Sequence, residues 1–242
     1  MITHTQNLCH NRTIFQFMGK ASNVYIIKDD GQKATFLVDC GMSSDKRSLI
    51  TALEPMPPLK RVVCTHFHVD HVSGWRYLKV IFKECDIRFH EKARPFVMGN
   101  RRIPFPGYAD VKDMIIPCMK ASRYFPRPGD IFMGGLYGTP FKKGFPLDRV
   151  IFFKNEDPVL PGFQTLPTPG HRPESTSFFD PESGIFISGD FLVVINGKPT
   201  LNTYVSSKKD QEDSISKIKQ LNGLKYIFPG HGACVPFTGD LF

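Results

Sequence analysis

The chain has 242 residues, 41% of them hydrophobic, so residues 1–242 suit one large domain with a sizeable core. Residues 1–11 are polar and lack the apolar region of a signal peptide, and no apolar stretch is long enough to span a bilayer. From these features we expect a soluble intracellular protein. The net charge of +8 permits an anionic substrate or nucleic acid and requires neither.

Three segments near the start of the chain have the composition of strands. They are residues 14–18, 23–28 and 34–38. Residues 29–31, Asp-Asp-Gly, mark a hairpin turn between the second and third strands. Ser43 or Ser44 can cap a helix over residues 45–53, which Pro55 then ends. The chain is therefore expected to open with β-structure followed by one helix.

A dense group of metal-ligand residue types follows the next predicted strand, residues 62–64. The pattern is H-x-H-x-D-H, and its ligand-type residues are His66, His68, Asp70 and His71. In extended backbone, residues two apart point the same way, so His66 and His68 can share one cation. Asp70 and His71 come where a helix predicted over residues 72–82 begins, so we expect them to face a second cation. Imidazole and carboxylate suit zinc, iron or manganese. A histidine-rich surface loop is the alternative interpretation.

The middle of the chain contains a long irregular section. A strand over residues 85–89 and a helix over residues 91–98 precede it. Residues 99–147 are rich in Pro, Gly, Arg and aromatic residues, which indicates an insertion. Within it we predict a helix over residues 109–124, broken at Pro117. Two interpretations stay open for the insertion. It is a lid or substrate-binding surface, or it is a structural part that covers a sheet edge or forms the contact of a homodimer.

The rest of the chain returns to a strand pattern. Strands are predicted at residues 150–153, 163–166, 177–179, 184–187 and 226–228. Residues 210–221 have the spacing of an amphipathic helix. Three more ligand-type residues, His171, Asp190 and His231, each follow an apolar run and lie beside a glycine. The ends of several strands thus each supply one candidate ligand.

This ordered set resembles the metallo-β-lactamase superfamily of metal-dependent hydrolases. The similarity includes the upstream sequence Val38-Asp39-Cys40-Gly41 and runs from about residue 13 to the C-terminus. The resemblance implies an α/β fold of the αβ/βα type, in which two β-sheets lie between layers of helices. It says little about the insertion at residues 99–147.

The resemblance also implies a ligand set for two divalent metal ions, with zinc as the first choice and iron or manganese as alternatives. The first ion would be held by His66, His68 and His171, the second by Asp70, His71 and His231, and Asp190 would bridge the two. A hydroxide between the metals is the expected nucleophile, because such ions lower the pKa of bound water. Asp70 and Asp190 are expected to be catalytic, since their charge offsets part of that of the metals and can orient the water.

Three further residues are candidates for substrate contact. Lys198 and Tyr204 lie where relatives bind substrate. Arg172 is placed to contact an anionic substrate, although an ion pair with Glu174 or Glu182 on the surface is the alternative that we favour.

Four function hypotheses follow. The first is a zinc hydrolase of a small ester, thioester or lactone, similar to glyoxalase II and the N-acyl homoserine lactonases. The second is an oxidoreductase similar to the persulfide dioxygenases, which hold one iron with two His and one Asp. A phosphodiesterase or nuclease is the third, although long basic runs are absent and we do not expect a nucleic-acid partner. The fourth is a non-catalytic binding protein on the same scaffold.

The cysteines bear on the compartment. The chain has six, scattered without a C-x-x-C pair, so we expect reduced thiols that mostly fill the core. Reduced thiols favour a cytoplasmic protein. The family resemblance implies a small-molecule substrate, and the lack of a long apolar stretch gives no reason to expect a membrane partner.

Overall fold

The computed structural model describes residues 1–122 and 137–239 and contains two β-sheets with helices packed against them. The first sheet runs in chain order from β1 to β7. Its strands are β1 (Ile2–Leu8), β2 (Arg12–Met18), β3 (Asn23–Asp29), β4 (Ala34–Val38), β5 (Leu59–Val63), β6 (Asp86–His90) and β7 (Val150–Phe153). Strands β1 to β4 pair antiparallel, and β4 to β7 pair parallel. The parallel half therefore brings the ends of β4, β5 and β6 to one edge.

The second sheet has the order β13-β12-β10-β9-β8, with β11 paired to β10. Its strands are β8 (Gln164–Pro167), β9 (Thr176–Asp180), β10 (Ile185–Ile195), β11 (Lys198–Leu201), β12 (Tyr226–His231) and β13 (Val235–Pro236). Strands β10 and β12 are parallel, with Gly189 opposite Pro229. This register sets Asp190 beside Gly230, one residue before His231.

The helices are short. They are α1 (Lys46–Leu53), α2 (Val69–Val72), α3 (Trp75–Ile81), α4 (Arg94–Val97), α5 (Tyr108–Asp110), α6 (Ile116–Ser122) and α7 (Lys208–Ile218). Two 3₁₀ turns, Ser43–Asp45 and Glu91–Ala93, precede α1 and α4, and a π-helical segment, Val111–Ile115, joins α5 to α6. In the part of the chain that the structure describes, every helix is too short or too polar to cross a membrane.

Three apolar clusters show that the structure is layered. One lies between the sheets and joins Ile27, Phe36 and Val63 to Phe178 and Ile187. A second packs α1, α3 and α4 on the outer face of the first sheet, and a third packs α7 on the second sheet. Two sheets between layers of helices confirm the αβ/βα fold class. Because strands buried on both faces read as continuous apolar runs, most of them were predictable.

Several predicted elements differ from the structure. The helix predicted over residues 72–82 is two helices, α2 and α3, interrupted at Ser73 and Gly74. A Cβ atom on Gly74 would lie 1.9 Å from the carbonyl oxygen of Cys40, so only glycine permits this approach. Strand β10 continues to Ile195, well beyond the predicted end at residue 187. Strand β1 was not predicted, and helix α7 ends three residues earlier than expected.

Pro117 does not break the predicted helix 109–124. Helical backbone is continuous over residues 108–122, and residues 123–124 lie outside the described part, as does the rest of the insertion up to residue 136. The N–H of Ile116 donates to Val111 O, five residues back, so the chain has already adopted π-type bonding before the proline. A π turn widens the helix and accommodates the missing proline donor.

The six cysteines are free thiols, and four of them are buried, as predicted. Burial raises the pKa of Cys85 and of Cys118 to about 12, so both are neutral core residues.

A buried carboxylate joins the loop after β2 to the turn before α1. Asp45 accepts hydrogen bonds from the N–H of Lys20 at 3.0 Å and of Met42 at 2.9 Å. Burial raises the pKa of Asp45 despite these bonds. We expect Asp45→Ala to lower the free energy of unfolding by about 1–3 kcal/mol, because the Met42 donor is left buried without a partner. Asp45→Asn keeps one acceptor oxygen and should cost less. Urea unfolding tests both variants, and equal losses would contradict this explanation.

Candidate metal centre

The seven predicted ligands converge at one edge of the two sheets. His66 and His68 follow β5, and Asp70 and His71 lie in α2. The other three come from the second sheet: His171 from the loop between β8 and β9, Asp190 from within β10, and His231 from the end of β12. Their ligand atoms form two groups, and within each group these atoms lie within 4.8 Å of one another.

The first group is formed by His66, His68, His171 and Asp190, all buried except for the partly exposed His68. Nδ1 of His68 lies 3.1 Å from Nε2 of His171. Asp190 Oδ2 lies 3.6 Å from Nε2 of His171 and 3.8 Å from Nε2 of His66. Three imidazole nitrogens and one carboxylate oxygen therefore face one point.

The second group is formed by Asp70, His71 and His231. Asp70 Oδ2 lies 3.5 Å from Nε2 of His71 and 3.4 Å from Nε2 of His231. The other oxygen of Asp190, Oδ1, lies 3.3 Å from both of these nitrogens. Asp190 thus presents one oxygen to each group.

The spacing fits metal ions. Four ligands at about 2.1 Å from a tetrahedral zinc ion lie about 3.4 Å from one another, close to the separations in both groups. Three of the buried atoms, His66 Nε2, His71 Nε2 and Asp190 Oδ1, have no hydrogen-bond partner among the described residues. Buried polar atoms without partners are costly unless a cation or water satisfies them. The residues therefore fit one divalent cation in each group.

In four of the five candidate ligand histidines, the ring nitrogen that does not face the other ligands has a partner of its own. Nδ1 of His66 contacts Thr65 Oγ1 at 3.0 Å, and Nδ1 of His71 contacts Asp39 Oδ2 at 2.7 Å. Nδ1 of His171 and of His231 contact backbone carbonyl oxygens, those of Tyr204 at 2.5 Å and Ala21 at 2.8 Å. Partners of this kind fix the ring orientation and leave Nε2 for the metal.

The two groups differ in their electrostatics. Burial lowers the pKa of His66, His68 and His171, so these imidazoles are neutral, which is the form that binds metal. In the second group, burial also acts to lower the pKa of His71 and His231, but the neighbouring carboxylates outweigh it. Asp70 and Asp190 raise the pKa of His71, and Asp190 raises that of His231 to about 9. The same histidines hold the pKa of Asp190 well below its usual range, against the effect of burial. A cation in the second group would therefore replace imidazolium protons.

Asp39 supports the centre by contacts with Thr65 and His71. Its Oδ1 accepts from the N–H of Thr65 at 2.8 Å, and its Oδ2 contacts both Thr65 Oγ1 at 2.8 Å and Nδ1 of His71. Because a carboxylate accepts only, Nδ1 of His71 must carry the proton, and Nε2 is left as the lone-pair donor. Asp39 has a φ of 61°, which Asn also tolerates.

We expect Asp39→Asn to lower metal affinity about 10–100-fold. The backbone fits, but the new NH₂ group faces the N–H of His71, and this clash favours the tautomer with the proton on Nε2. Competition with a chelator measures the effect. Asp29→Asn is the matched control, since Asp29 is also buried in the first sheet but bonds Gln32. Equal affinities for both variants would contradict the orienting role of Asp39.

The three substrate candidates have different locations. Tyr204 stacks on His68, with ring centroids 6.0 Å apart, and lines the cavity beside the centre. Lys198 is exposed at the start of β11 and does not line that cavity.

The expectation that Arg172 lies on the surface is wrong. It is buried, with Nε 3.5 Å from Glu174 Oε1, so the predicted ion pair is present but inside the protein. Its guanidinium lies over Phe96, 4.7 Å from the ring centroid, and Glu174 also accepts from the N–H of Phe67 at 3.4 Å. Arg172 thus ties the His171 loop to the loop that carries His66 and His68.

Other supporting residues were missed. Asn23 Nδ2 donates to Pro229 O at 2.8 Å and Gly232 O at 2.7 Å, and Tyr25 OH donates to Pro229 O at 2.5 Å. These bonds hold the loop of His231. Asn23 and Tyr25 lie in an ordinary strand pattern, so no feature of the sequence marks them.

A cavity of about 270 Å³ opens beside the centre. Its floor includes His68, Asp70, His171, Asp190 and His231. Its walls come largely from the insertion, which supplies the apolar residues Ile103, Pro104, Pro106, Met114, Ile115, Cys118, Met119 and Pro140, and Ala21, Met42 and Val69 add apolar surface from elsewhere. The described part of the insertion therefore lines the approach to the centre.

Comparison with known proteins agrees with this fold. The sequence matches the family model described as "Metallo-beta-lactamase superfamily" over residues 18–231. It is similar to the "Uncharacterized protein YobT" of Bacillus subtilis (strain 168), with 24% identity over 182 residues. That match covers 72% of this chain and 64% of the relative, so the chain spans less than two thirds of that protein.

Solved structures show the same architecture. An archaeal metallo-beta-lactamase superfamily protein from Sulfolobus tokodaii has a TM-score of 0.62 at 19% identity, over 95% of this chain and 82% of that one. TTHA1623, solved in a di-iron-bound form, has a TM-score of 0.58 at 22% identity, over 89% of each chain. At these identities the similarity shows the fold alone.

Proposed function

The chain belongs to the metallo-beta-lactamase superfamily, and from this premise we propose that it is a hydrolase that uses two divalent metal ions. The placement of Asp190 carries the proposal, because one of its oxygens faces each ligand group. When bound, the two cations supply a nucleophile from water near neutral pH and positive charge against the substrate oxygen. Zinc is our first choice, and the substrate is a small ester, thioester or lactone.

The residues of the chain have separate roles in this proposal. Asp190 holds the two groups in fixed relation, and its buried charge offsets that of the cations. Asp70 lines the cavity with 20% of its side chain exposed, so it can accept a hydrogen bond from the attacking water and orient it. Tyr204 lines the same cavity and is proposed to contact the substrate.

Two alternatives receive less support. An enzyme with a single iron uses two His and one Asp of nearly the same motif, and it would leave the remaining ligands, which Asp190 also faces, without a metal. Iron itself stays an alternative to zinc, since TTHA1623 has been solved with two irons. A nuclease is disfavoured, because no Lys or Arg is among the described residues that line the cavity. A cytoplasmic location remains part of the proposal.

Metal analysis and a substrate screen test the proposal together. Protein purified without added metal should contain about two zinc ions per chain, and the zinc-loaded form should hydrolyse esters, thioesters or lactones faster than phosphodiesters. The same screen with iron and manganese identifies the active metal. A single iron per chain with oxygen uptake on a persulfide substrate would replace the hydrolase with the dioxygenase.

A further inference from the structure

The wall of the cavity is one face of the insertion helix. Over residues 111–120, Met114, Ile115, Cys118 and Met119 line the cavity, whereas Lys112, Asp113, Ile116 and Lys120 are exposed. The lining residues form two pairs four positions apart, so they share one side of the helix. The inward face is entirely apolar or sulfur-containing.

This wall is fixed to the metal centre at two points. Met114 and Cys118 pack with Val193, which follows Asp190 by three residues on β10, and Tyr204 packs against the same cluster. Later in the insertion, Gly138 O accepts a hydrogen bond from the N–H of Val69 at 3.0 Å, which joins this end of the insertion to the loop of His68. The apolar space is thus continuous with the ligands and is not a separate surface groove.

The charges of the cavity are confined to its floor. Among the described lining residues, the titratable ones are five of the candidate ligands together with Cys118 and Tyr204, and neither Lys nor Arg is present. Its polar side chains outside the ligand set are Thr139, Asn202 and Tyr204. Such a lining favours an uncharged apolar group and disfavours an anionic one, although the whole chain is basic.

We propose that this cavity binds the hydrocarbon chain of an acyl ester or thioester, with the carbonyl group of that substrate at the metal centre. This inference rests on the proposed hydrolase function and names its substrate class. A volume of about 270 Å³ corresponds to roughly nine molecules of water at about 30 Å³ each, enough for an acyl chain of medium length.

Binding can be measured without catalysis. The neutral fluorescent probe N-phenyl-1-naphthylamine should bind the full-length protein, and decan-2-one, which cannot be hydrolysed, should displace it. Ile115→Trp places a large ring in the cavity and should weaken both ligands at least tenfold. Ile116→Trp is the matched control, since the adjacent Ile116 is 37% exposed and does not line the cavity, and it should change binding less than twofold.

Activity gives the second measurement. With the zinc-loaded protein, kcat/KM should rise about two- to fourfold per methylene from 4-nitrophenyl acetate to the octanoate, because each methylene leaves water. The hemisuccinate ester should be a poor substrate. In Ile115→Trp the preference for octanoate should disappear while hydrolysis of the acetate persists. Ile115→Ala changes the same position without filling the cavity, so it should retain the preference for octanoate.

The outcomes separate the two proposals. Hydrolysis without probe binding, or with a preference for the charged ester, would overturn the assignment of the cavity and leave the hydrolase standing. Probe binding that responds to Ile115→Trp but not to Ile116→Trp, with no ester or thioester hydrolysed, would overturn the hydrolase and support the apolar site. Equal effects of the two tryptophan variants would overturn the assignment of the cavity.

Discussion

Asp190→Ala is expected to lower kcat/KM about a thousandfold, which corresponds to about 4 kcal/mol of lost transition-state stabilisation. One oxygen of this side chain lies 3.3 Å from the nitrogens of both His71 and His231, and the other lies 3.6 Å from that of His171. No other residue among those described contributes to both ligand groups. Its loss therefore removes one ligand from each group at once.

The measurements are metal content, steady-state kinetics and thermal unfolding of the same preparation. Asp190→Asn retains one ligand oxygen but not the charge, so it should keep more metal than the alanine variant. Asp213→Ala removes an exposed carboxylate of α7 and should leave metal content and kcat/KM unchanged. Two metal ions per chain together with normal turnover in Asp190→Ala would disprove the bridging role.

The ligand set was predictable for two reasons. The H-x-H-x-D-H pattern places four ligand-type residues within the six residues from His66 to His71, and His171, Asp190 and His231 each follow an apolar run in the sequence. The resemblance to the superfamily assigned all seven residues to one centre, and the structure brings their ligand atoms together in two groups.

Elements without such a pattern were missed. Strand β1 lies at the edge of the first sheet, and its exposed residues Thr3, Thr5 and Asn7 alternate with the half-buried residues Ile2, His4 and Gln6. Its sequence resembles a polar N-terminal tail, and its order comes from tertiary contacts, chiefly the pairing with β2.

The burial of charged residues could not be predicted from the sequence either. Arg172 is buried only because Glu174 and the ring of Phe96 meet it, and Phe96 comes from a distant helix. The apolar cavity has the same origin, since it depends on how close the insertion lies to the centre. In the sequence, Met114 and Cys118 resemble ordinary core residues.

Gly230 presents the sharpest case of a contact that only the tertiary structure reveals. Beside His231 it looks like a flexible residue next to a ligand, yet its φ lies outside the left-handed region that favours glycine. A Cβ atom at this position would lie 2.1 Å from Asp190 Oδ1 and 2.9 Å from the carbonyl oxygen of Gly189. Glycine is therefore required to leave space for the carboxylate that joins the two groups.

We expect Gly230→Ala to lower kcat/KM at least about a hundredfold although every ligand is retained, because the methyl group displaces Asp190 Oδ1 from His71 and His231. Overpacking should also lower the free energy of unfolding by about 1–3 kcal/mol.

Gly197→Ala is the control for the strain of an alanine at a glycine position. A Cβ atom there meets nothing within 4 Å, but the φ of 77° strains an alanine, so this variant should destabilise the fold by about 1 kcal/mol and leave metal content intact. Loss of about one metal ion per chain in Gly230→Ala but not in Gly197→Ala would locate the damage in the second group. If Gly230→Ala retained both ions and full turnover, Asp190 would have to be free to move, and the rigid two-group arrangement would be wrong.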